Sequence, residues 1–330
     1  MNSAPPRDHG GNLDAAIARF GGARADWLDL STGINPVPYP LPDIPPEAWA
    51  ALPTRAEMAA LREAAAACYG TRAAVVPLAG AQAAIQLVPQ LRAPGQARVL
   101  APTYNEHAGA LRAAGWQVAE CPDLAALAGA DLAVVVNPNN PDGRQHRPED
   151  LLALAGRVGL LVVDESFADP TPELSLTNTS ALPDNILILK SFGKFYGLAG
   201  LRLGFVLTGP ELAVRLSEMA GPWPIAGPTI HVAIQALADR SWSNSTIVRL
   251  RSDAARLDAM AAAAGWQLVG GTDLFRSYET PAAQATQEHL ARAKIWTRIF
   301  PYSTRWIRLG LPGTETGWQR LEVALAGQRE

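Results

Sequence analysis

Three short polar motifs each follow directly after a run of apolar residues. In chain order the motifs carry Asn140, Asp164 and Lys194, and the runs before them are Leu132–Val136, Leu160–Val163 and Ile186–Leu189. Runs of Val, Leu and Ile without polar alternation are typical of strands buried on both faces of a parallel sheet. Parallel strands end at one edge of the sheet, where ligands bind. We therefore expect an amide, a carboxylate and an amine to meet at that edge.

Those three groups match what a protein must supply to pyridoxal 5'-phosphate (PLP). Lys194 is the candidate for the Schiff base with the cofactor aldehyde. Asp164 would face the pyridine nitrogen and keep it protonated, so that the ring can act as an electron sink. Asn140 would donate a hydrogen bond to the phenolic oxygen of the ring. The sequence therefore predicts PLP chemistry with Lys194 as the catalytic residue.

Further side chains could hold the cofactor phosphate and cover the ring. The candidates are Gly80, Ala81, Gln82, Ser191, Arg202 and Tyr104. The first three form a turn that opens a helix, so backbone N–H groups and the helix dipole can face a phosphate. The serine could add a hydroxyl and the arginine a fork-shaped cation. The tyrosine could stack on the ring.

The elements that must position these residues are those of an α/β fold. Two more apolar runs, Arg98–Ala101 and Leu203–Leu207, join the first three, and helical stretches lie between several of them. We predict a large domain with a mostly parallel sheet flanked by helices. Beyond it, Ile230–Ala263 is helical by content, and Trp296–Phe300 is one of several strand candidates in a smaller α+β domain.

A cluster of prolines at positions 222, 224 and 228 marks the expected boundary between the two domains. The predicted organisation is an N-terminal arm (1–28), a large PLP-binding domain (29–221) and a small C-terminal domain (222–330).

Composition narrows the class of protein. Of 330 residues, 48% are hydrophobic and 18% are charged, which excludes a largely disordered chain. The net charge of −3 offers no basic excess for nucleic acid or an anionic membrane. Cys68 and Cys121 are too few for a disulfide framework or a cysteine metal site, and we expect no metal. Without an apolar run of membrane-spanning length or a signal-peptide pattern, a cytoplasmic location is expected.

The ordered motifs resemble those of the fold-type I, aspartate-aminotransferase-like (class I/II) family of PLP enzymes. The resemblance lies in Asn-Pro-Asn-Asn-Pro-x-Gly from Asn137, Asp-Glu-Ser-Phe from Asp164, and Ser-Phe-Gly-Lys ending at Lys194 with Arg202 eight residues later. It spans nearly the whole chain and implies a homodimer with the active site at the subunit boundary. Lys190 does not fit the pattern, because position 198 is a leucine.

Within that family, residues 8–12 (Asp-His-Gly-Gly-Asn) and 30–36 (Leu-Ser-Thr-Gly-Ile-Asn-Pro) resemble threonine-phosphate decarboxylases of cobalamin biosynthesis. So does Phe167, where histidinol-phosphate aminotransferases usually carry a tyrosine. The resemblance implies decarboxylation of L-threonine O-3-phosphate to (R)-1-amino-2-propanol O-2-phosphate and CO2. The expected partner is thus a small phosphorylated amino acid.

The same resemblance implies the substrate contacts. His9 and the backbone near Gly33 would help bind the substrate phosphate. Arg298 and Arg308 would bind its anionic groups, with Arg308 at the position of the arginine that grips the substrate carboxylate in aminotransferases. Arg305 lies close to both in sequence, so an exchange of roles among the three arginines stays open.

Two positions depart from the pattern. Leu52 stands where relatives often carry a tyrosine that reaches the partner's cofactor phosphate, and Gly33 stands where some decarboxylases carry an asparagine. The first alternative function is a histidinol-phosphate aminotransferase or a related class I/II aminotransferase, since the active-site residue types are nearly the same. The second is a non-catalytic PLP-binding or scaffold protein.

Overall fold

The computed structural model describes residues 9–179 and 181–327. Asp8 of the N-terminal motif lies outside the described residues, as do residues 1–7 of the predicted arm and 328–330 of the predicted C-terminal domain. The described chain forms two compact units. The larger unit comprises Pro38–Asn140 and Arg144–Ser245; the smaller comprises Pro141–Gly143, the described residues up to Val37 and those from Thr246 onward. Within the described part of the chain, no helix is long and apolar enough to cross a membrane.

The bounds of the regular elements in the described ranges are as follows. The strands are β1 Leu28–Asp29, β2 Ala74–Leu78, β3 Gln96–Leu100, β4 Gln117–Cys121, β5 Leu132–Val136, β6 Leu161–Asp164, β7 Ile186–Ser191, β8 Gly204–Thr208, β9 Gln267–Thr272, β10 Phe275–Glu279, β11 Ile295–Trp296, β12 Arg298–Phe300 and β13 Ser303–Gly310. The α-helices are α1 Leu13–Phe20, α2 Pro46–Ala50, α3 Arg55–Tyr69, α4 Ala81–Leu87, α5 Asn105–Ala113, α6 Pro148–Ala155, α7 Phe192–Phe195, α8 Pro210–Ala220, α9 Gly227–Ala238, α10 Arg240–Ala263, α11 Ala283–Arg292 and α12 Glu315–Ala326.

The larger unit is built on a seven-stranded sheet with the order β2-β8-β7-β6-β5-β3-β4. Neighbouring strands from β7 to β4 are parallel, which confirms the predicted α/β fold with a mostly parallel sheet. β8 is antiparallel to both of its neighbours, so reading Leu203–Leu207 as a parallel strand was wrong. The connection from β7 holds only the four-residue α7 and a 3-10 turn. It therefore lacks a helix that could cross a face of the sheet, which the connection to a parallel strand usually contains.

The core of the larger unit surrounds β5 and β6, in which every residue is buried. On one face of the sheet, Val134 and Val162 pack in the same cluster as Ile85 of α4 and Leu111 of α5. Burial on both faces explains why these strands lack polar alternation. The packed centre ends where the polar motifs begin, so the strands hold those motifs in fixed positions.

The helical segment predicted at Ile230–Ala263 consists of two helices. α9 ends at Ala238, and Asp239 Oδ1 accepts a hydrogen bond from Trp242 N at 2.9 Å where α10 begins. A side chain that satisfies a first-turn N–H favours the start of a new helix. Helical content alone does not reveal that break.

The smaller unit contains a four-stranded sheet with the order β12-β13-β10-β9 and antiparallel pairing throughout. Separately, β1 pairs in parallel with β11. The predicted strand Trp296–Phe300 is therefore divided, because β11 pairs with β1 whereas β12 pairs with β13. The second pairing places Arg298 directly opposite Arg308.

The two units divide the chain between Val37 and Pro38 and again between Ser245 and Thr246, inside α10. The sequence placed domain boundaries at 28/29 and 221/222 instead. The predicted domains 1–28, 29–221 and 222–330 were meant as units that fold together. A division of the chain by compactness does not test how it folds, so these domains stay a prediction.

Candidate active site

One edge of the seven-stranded sheet gathers the predicted cofactor residues. Strands β3, β5, β6 and β7 all end there, and β2 does too because it is antiparallel to β8, which begins there. In register, Val136 pairs with Asp164, and Ser191 pairs with Gly204. All nine residues lie in the larger unit, at these strand ends or in the segments beyond them: Gly80, Ala81, Gln82, Tyr104, Asn140, Asp164, Ser191, Lys194 and Arg202.

The Asp164 carboxylate is buried and held by three donor contacts. Oδ1 accepts hydrogen bonds from Ser166 N at 2.9 Å and Ser166 Oγ at 2.5 Å, and Oδ2 lies 2.8 Å from His107 Nε2. Burial raises the pKa of Asp164, but the hydrogen bonds and charge of His107, with the Ser166 bonds, outweigh it and leave that pKa below its ordinary value. The carboxylate is thus ionised at neutral pH, as a partner for a protonated pyridine nitrogen must be.

His107 belongs to the site although the sequence analysis missed it. It lies on α5, three residues after Tyr104, and is itself buried. The two rings are 6.2 Å apart and nearly perpendicular. The only local signal was a histidine on the buried face of a helix that starts beyond a strand end, and a histidine there is also common without any ligand.

Gln82 and Tyr104 are linked through side chains at the start of α4 and α5. Gln82 Nε2 donates to Glu106 Oε2 at 2.7 Å, and Tyr104 OH donates to Gln82 Oε1 at 3.3 Å. We predicted that the backbone N–H of Gln82 contacts the phosphate. The Gln82 side chain has a different role, because its hydrogen bond fixes the orientation of Tyr104. This bond sets the tilt of a ring proposed to stack on the cofactor.

The turn at Gly80 is shaped for a close approach by Arg202. Gly80 has φ +83°, and a Cβ there would lie 2.9 Å from Arg202 Nη2. Arg202 itself adopts the left-handed conformation (φ 52°, ψ 53°), and its Nη1 donates to Ala199 O at 3.1 Å. Gly204 is equally constrained, because a Cβ there would lie 2.5 Å from Ala81 N. Glycines at 80 and 204 therefore bring a guanidinium and the first N–H groups of α4 together.

The asparagine-rich loop after β5 uses two of its three amides to hold its own shape. Asn137 Nδ2 donates to His146 O at 3.0 Å, and its Oδ1 accepts from His146 N at 2.9 Å. Asn139 Nδ2 donates to Pro102 O at 2.9 Å, and its Oδ1 accepts from Thr103 Oγ1 at 2.6 Å. Asn140 follows, half-buried at the end of this braced segment. Its role toward the phenolic oxygen stays a prediction.

The two lysines near the end of β7 have different surroundings. Lys194 lies on α7, and its Nζ is 5.5 Å from the centre of the Phe167 ring. Lys190 lies inside β7 with Nζ 2.8 Å from Glu165 Oε2, both side chains being almost fully buried. A lysine committed to such a pair is not available to a cofactor aldehyde, which agrees with the assignment of Lys194.

In the smaller unit, the arginine pair of the β12–β13 hairpin is set among aromatic rings. Arg308 is buried; its Nη2 donates to Ser31 O at 2.9 Å, and its guanidinium lies 5.0 Å from the centre of the Phe275 ring. Arg298 is half-buried, with its guanidinium 5.6 Å from the centre of the Phe300 ring.

Arg305 is exposed, and its Nε is 2.7 Å from Glu279 Oε1. Which of the three arginines binds a substrate anion stays a prediction. His9 is exposed and Gly33 is buried in the smaller unit. Their roles toward substrate stay predictions.

Residues 46–325 match the family model of aminotransferase class I and II. The chain belongs to the class I and II aminotransferase family. This membership confirms the resemblance carried by the three motifs.

Two curated relatives are named threonine-phosphate decarboxylase. The one from Pseudomonas aeruginosa is 45% identical over 330 residues, covering 98% of this chain and 98% of the relative. The one from Sinorhizobium sp. is 44% identical, covering 97% and 98%.

A solved structure of histidinol-phosphate aminotransferase from Sinorhizobium meliloti, in complex with pyridoxal-5'-phosphate, has a TM-score of 0.85 against this family member. It covers 99% of this chain and 95% of the other at 20% identity. At that identity the likeness shows the fold alone. It supports the fold predicted from the strand and helix pattern.

Proposed function

We propose that the chain is a PLP-dependent threonine-phosphate decarboxylase. It would convert L-threonine O-3-phosphate to (R)-1-amino-2-propanol O-2-phosphate and CO2. The observation that carries the proposal is the 44–45% identity to two threonine-phosphate decarboxylases over nearly the full length of each chain. The motifs at residues 8–12 and 30–36 support the same choice over a histidinol-phosphate aminotransferase.

The residues of the larger unit fit PLP. A buried, ionised Asp164 suits the pyridine nitrogen, and Lys190 is committed to the Glu165 carboxylate, so we assign the cofactor aldehyde to Lys194. The positive φ at Gly80 favours glycine, and the turn leaves backbone N–H groups and the Arg202 guanidinium for a phosphate. We assign Ala81, Gln82 and Ser191 to the phosphate, Tyr104 to the ring face and Asn140 to the phenolic oxygen.

When bound, PLP supplies an electron sink that stabilises negative charge at the substrate Cα. Lys194 Nζ would hold the cofactor through its aldehyde. Asp164 keeps a proton on the pyridine nitrogen, and His107 with Ser166 keeps Asp164 ionised and oriented. Decarboxylation releases the substrate carboxylate as CO2, and one proton takes its place on Cα.

We propose that Arg308 and Arg298 bind the anionic groups of the substrate and that His9 and the backbone at Gly33 contribute to its phosphate. An arginine fork matches a carboxylate or phosphate in two hydrogen bonds, so it fixes the orientation as well as the charge. Orientation decides the reaction, because the way in which the arginines hold the substrate would determine which Cα bond the bound cofactor weakens. A clamp that aligns the bond to the carboxylate favours loss of CO2 over loss of the Cα proton.

The test is incubation of the full chain with PLP and L-threonine O-3-phosphate, followed by detection of CO2 and of the amine product. CO2 release that is lost in Lys194→Ala is the expected result. Formation of a keto acid with amino transfer to 2-oxoglutarate, and no CO2, would establish the aminotransferase instead. Absence of the visible absorption band of lysine-bound cofactor would favour the non-catalytic protein.

We further propose that the enzyme is a homodimer. Five large apolar side chains of the larger unit are 54–68% exposed, and a subunit interface would bury such side chains: Leu41, Trp49, Leu52, Val214 and Trp223. Sedimentation of the full chain would reveal the oligomeric state, and a monomer would refute the proposal.

We place the enzyme in the cytoplasm, which cell fractionation would test. We also place it in cobalamin biosynthesis, where deletion of the gene would create a requirement for the amine product.

A further inference from the structure

A second group of charged side chains lies directly behind the candidate cofactor residues. Lys190 Nζ is 2.8 Å from Glu165 Oε2 and 3.9 Å from Asp169 Oδ1. Lys190 is 2% exposed and Glu165 0% exposed. The ammonium also lies 5.1 Å from the centre of the Tyr69 ring. The proposed reaction assigns no role to any of these groups.

This cluster is built on the immediate neighbours of the site. Glu165 follows Asp164, and Lys190 lies one residue before Ser191 and four before Lys194. Asp164 pairs with Leu189 across β6 and β7, so the ion pair joins Glu165, the first residue beyond β6, to Lys190, the next residue of β7. Since successive side chains of a strand point to opposite faces, Asp164 turns toward His107 and Glu165 turns to the other face.

Glu165 is anchored by more than the lysine. Its Oε1 accepts from Leu176 N at 2.8 Å, its Oε2 accepts from Ser175 Oγ, and its backbone N donates to Leu189 O at 2.9 Å. These bonds join the end of β6, the strand β7 and the loop that returns at 175–176. The carboxyl end of β6 is therefore fixed by its neighbour's side chain as well as by the sheet.

We propose that Lys190 is a positioning residue, which acts through Glu165 to hold Asp164 and, through its own strand, to hold Lys194 against the cofactor. The inference rests on the proposed function, because it assumes that Asp164 and Lys194 contact PLP. Burying an ion pair contributes little net stability compared with apolar side chains of the same shape. What the pair adds is precision. It fixes the ends of β6 and β7 relative to each other, and both ends must face the cofactor ring.

Removal of the ammonium leaves Glu165 buried without its charge partner. The carboxylate must then take up a proton or draw water and the 175–176 loop away from the sheet. Either response displaces the turn that begins at Asp164, and a displacement of a fraction of an ångström is enough to reduce the rate of a positioned reaction.

The experiment compares the full-length wild type with Lys190→Met, Glu165→Gln and the double variant. The dissociation constant of added PLP, the visible spectrum of the bound cofactor, and kcat and KM for L-threonine O-3-phosphate are measured. Each single variant should weaken PLP binding and lower kcat by about tenfold or more, with KM within about threefold of wild type. The double variant, a neutral pair of similar shape, should recover most of both losses.

The matched control is Arg276→Met, which breaks the pair of Arg276 with Asp258 in the smaller unit (Nη2 to Oδ2, 2.7 Å). It should lower stability without changing PLP affinity or the spectrum. Wild-type PLP affinity and kcat in folded Lys190→Met would overturn the proposal, and if that variant does not fold, the same result in Glu165→Gln overturns it. A double variant that is as stable as wild type but no more active than the single ones also overturns it. A wild type that binds PLP but releases no CO2 refutes the proposed function, and the PLP affinities still test this inference.

Discussion

Two neighbouring carboxylates at the end of β6 have opposite kinds of surroundings. Glu165 lies on one face of the sheet with a cation, a backbone N–H and a hydroxyl of the same unit around it. Asp164 lies on the other face, with a histidine and one serine, at the edge that also carries Lys194. A carboxylate that the fold neutralises with a buried ammonium is a structural group. A carboxylate that stays ionised beside a histidine is suited to a ligand that brings its own proton.

The largest expected effect is on the reaction rate, and it comes from changing Asp164 rather than Glu165. Asp164→Asn keeps the shape and removes the charge that would hold the pyridine proton. We expect kcat/KM for L-threonine O-3-phosphate to fall by roughly 10²–10⁴-fold, while the free energy of unfolding of the apo protein falls by about 1–3 kcal/mol, because hydrogen bonds to a buried charge are lost. Steady-state kinetics and urea unfolding check the two halves. A fall of less than tenfold would place the pyridine contact elsewhere.

The second effect is on stability, and it comes from breaking the ion pair of Glu165 with Lys190. Lys190→Met leaves Glu165 buried and unpaired, so we expect the free energy of unfolding of the apo protein to fall by about 3–5 kcal/mol. Burial lowers the pKa of Lys190, but Glu165 and Asp169 outweigh it and raise that pKa above its ordinary value. The stabilisation from this lysine is therefore full below its ordinary pKa and is lost as pH rises through the higher folded value. Urea titrations of wild type and variant at neutral and strongly alkaline pH measure it; equal stability at neutral pH would contradict the assignment.

A smaller effect tests how Asp164 is kept ionised. His107→Phe removes the donor to Oδ2, so the pKa of Asp164 should rise and the acid limb of kcat/KM should move to higher pH. A hydrogen bond to a charged group is worth about 1.5–3 kcal/mol, which corresponds to a loss of roughly tenfold or more at the acid end. His107→Gln, which can still donate, serves as the control and should shift the limb less. An unchanged acid limb in His107→Phe would remove His107 from the site.

The smallest effect concerns Asp169, the outer carboxylate of the lysine cluster. Burial raises the pKa of Asp169 to about 6, with Lys190 opposing and Glu165 adding to the rise. Between its ordinary value and about 6 the folded chain holds a proton that the unfolded chain releases, so this group makes stability fall as pH increases. Asp169→Asn should remove that fall and raise stability at pH 7 by roughly 1–3 kcal/mol. Urea unfolding from pH 4 to pH 8 measures it, and a variant that is less stable at pH 7 would contradict the account.

The parts of the fold that are set by local pattern were predictable. β5 was predicted at the residues that form it, since an unbroken run of five buried residues has few other interpretations. The direction of β8 was not, because it depends on the absence of a crossover helix between β7 and β8 rather than on the composition of the strand. The division of Trp296–Phe300 was also hidden, since it reflects which strands lie beside each end.

In the candidate site, too, the residues that stand in a local motif were predictable. Lys194, Asp164 and Arg202 stand in motifs whose order along the chain gives their place at one edge. His107 and Glu165 act through partners that are distant in sequence, 57 residues for His107 and Asp164, so neither role could be predicted, although Glu165 stands within the Asp-Glu-Ser-Phe motif. The contact of Arg305 with Glu279 was likewise not predictable, because it joins residues of two different strands.

The most direct measurement is mass spectrometry of the products formed from L-threonine O-3-phosphate in D2O by the full chain with PLP. The account predicts an amine phosphate that lacks the carboxyl carbon and carries one non-exchangeable deuterium on the former Cα, with CO2 released in equal amount. Recovery of a keto acid, or of substrate that has only exchanged its Cα hydrogen, would contradict it.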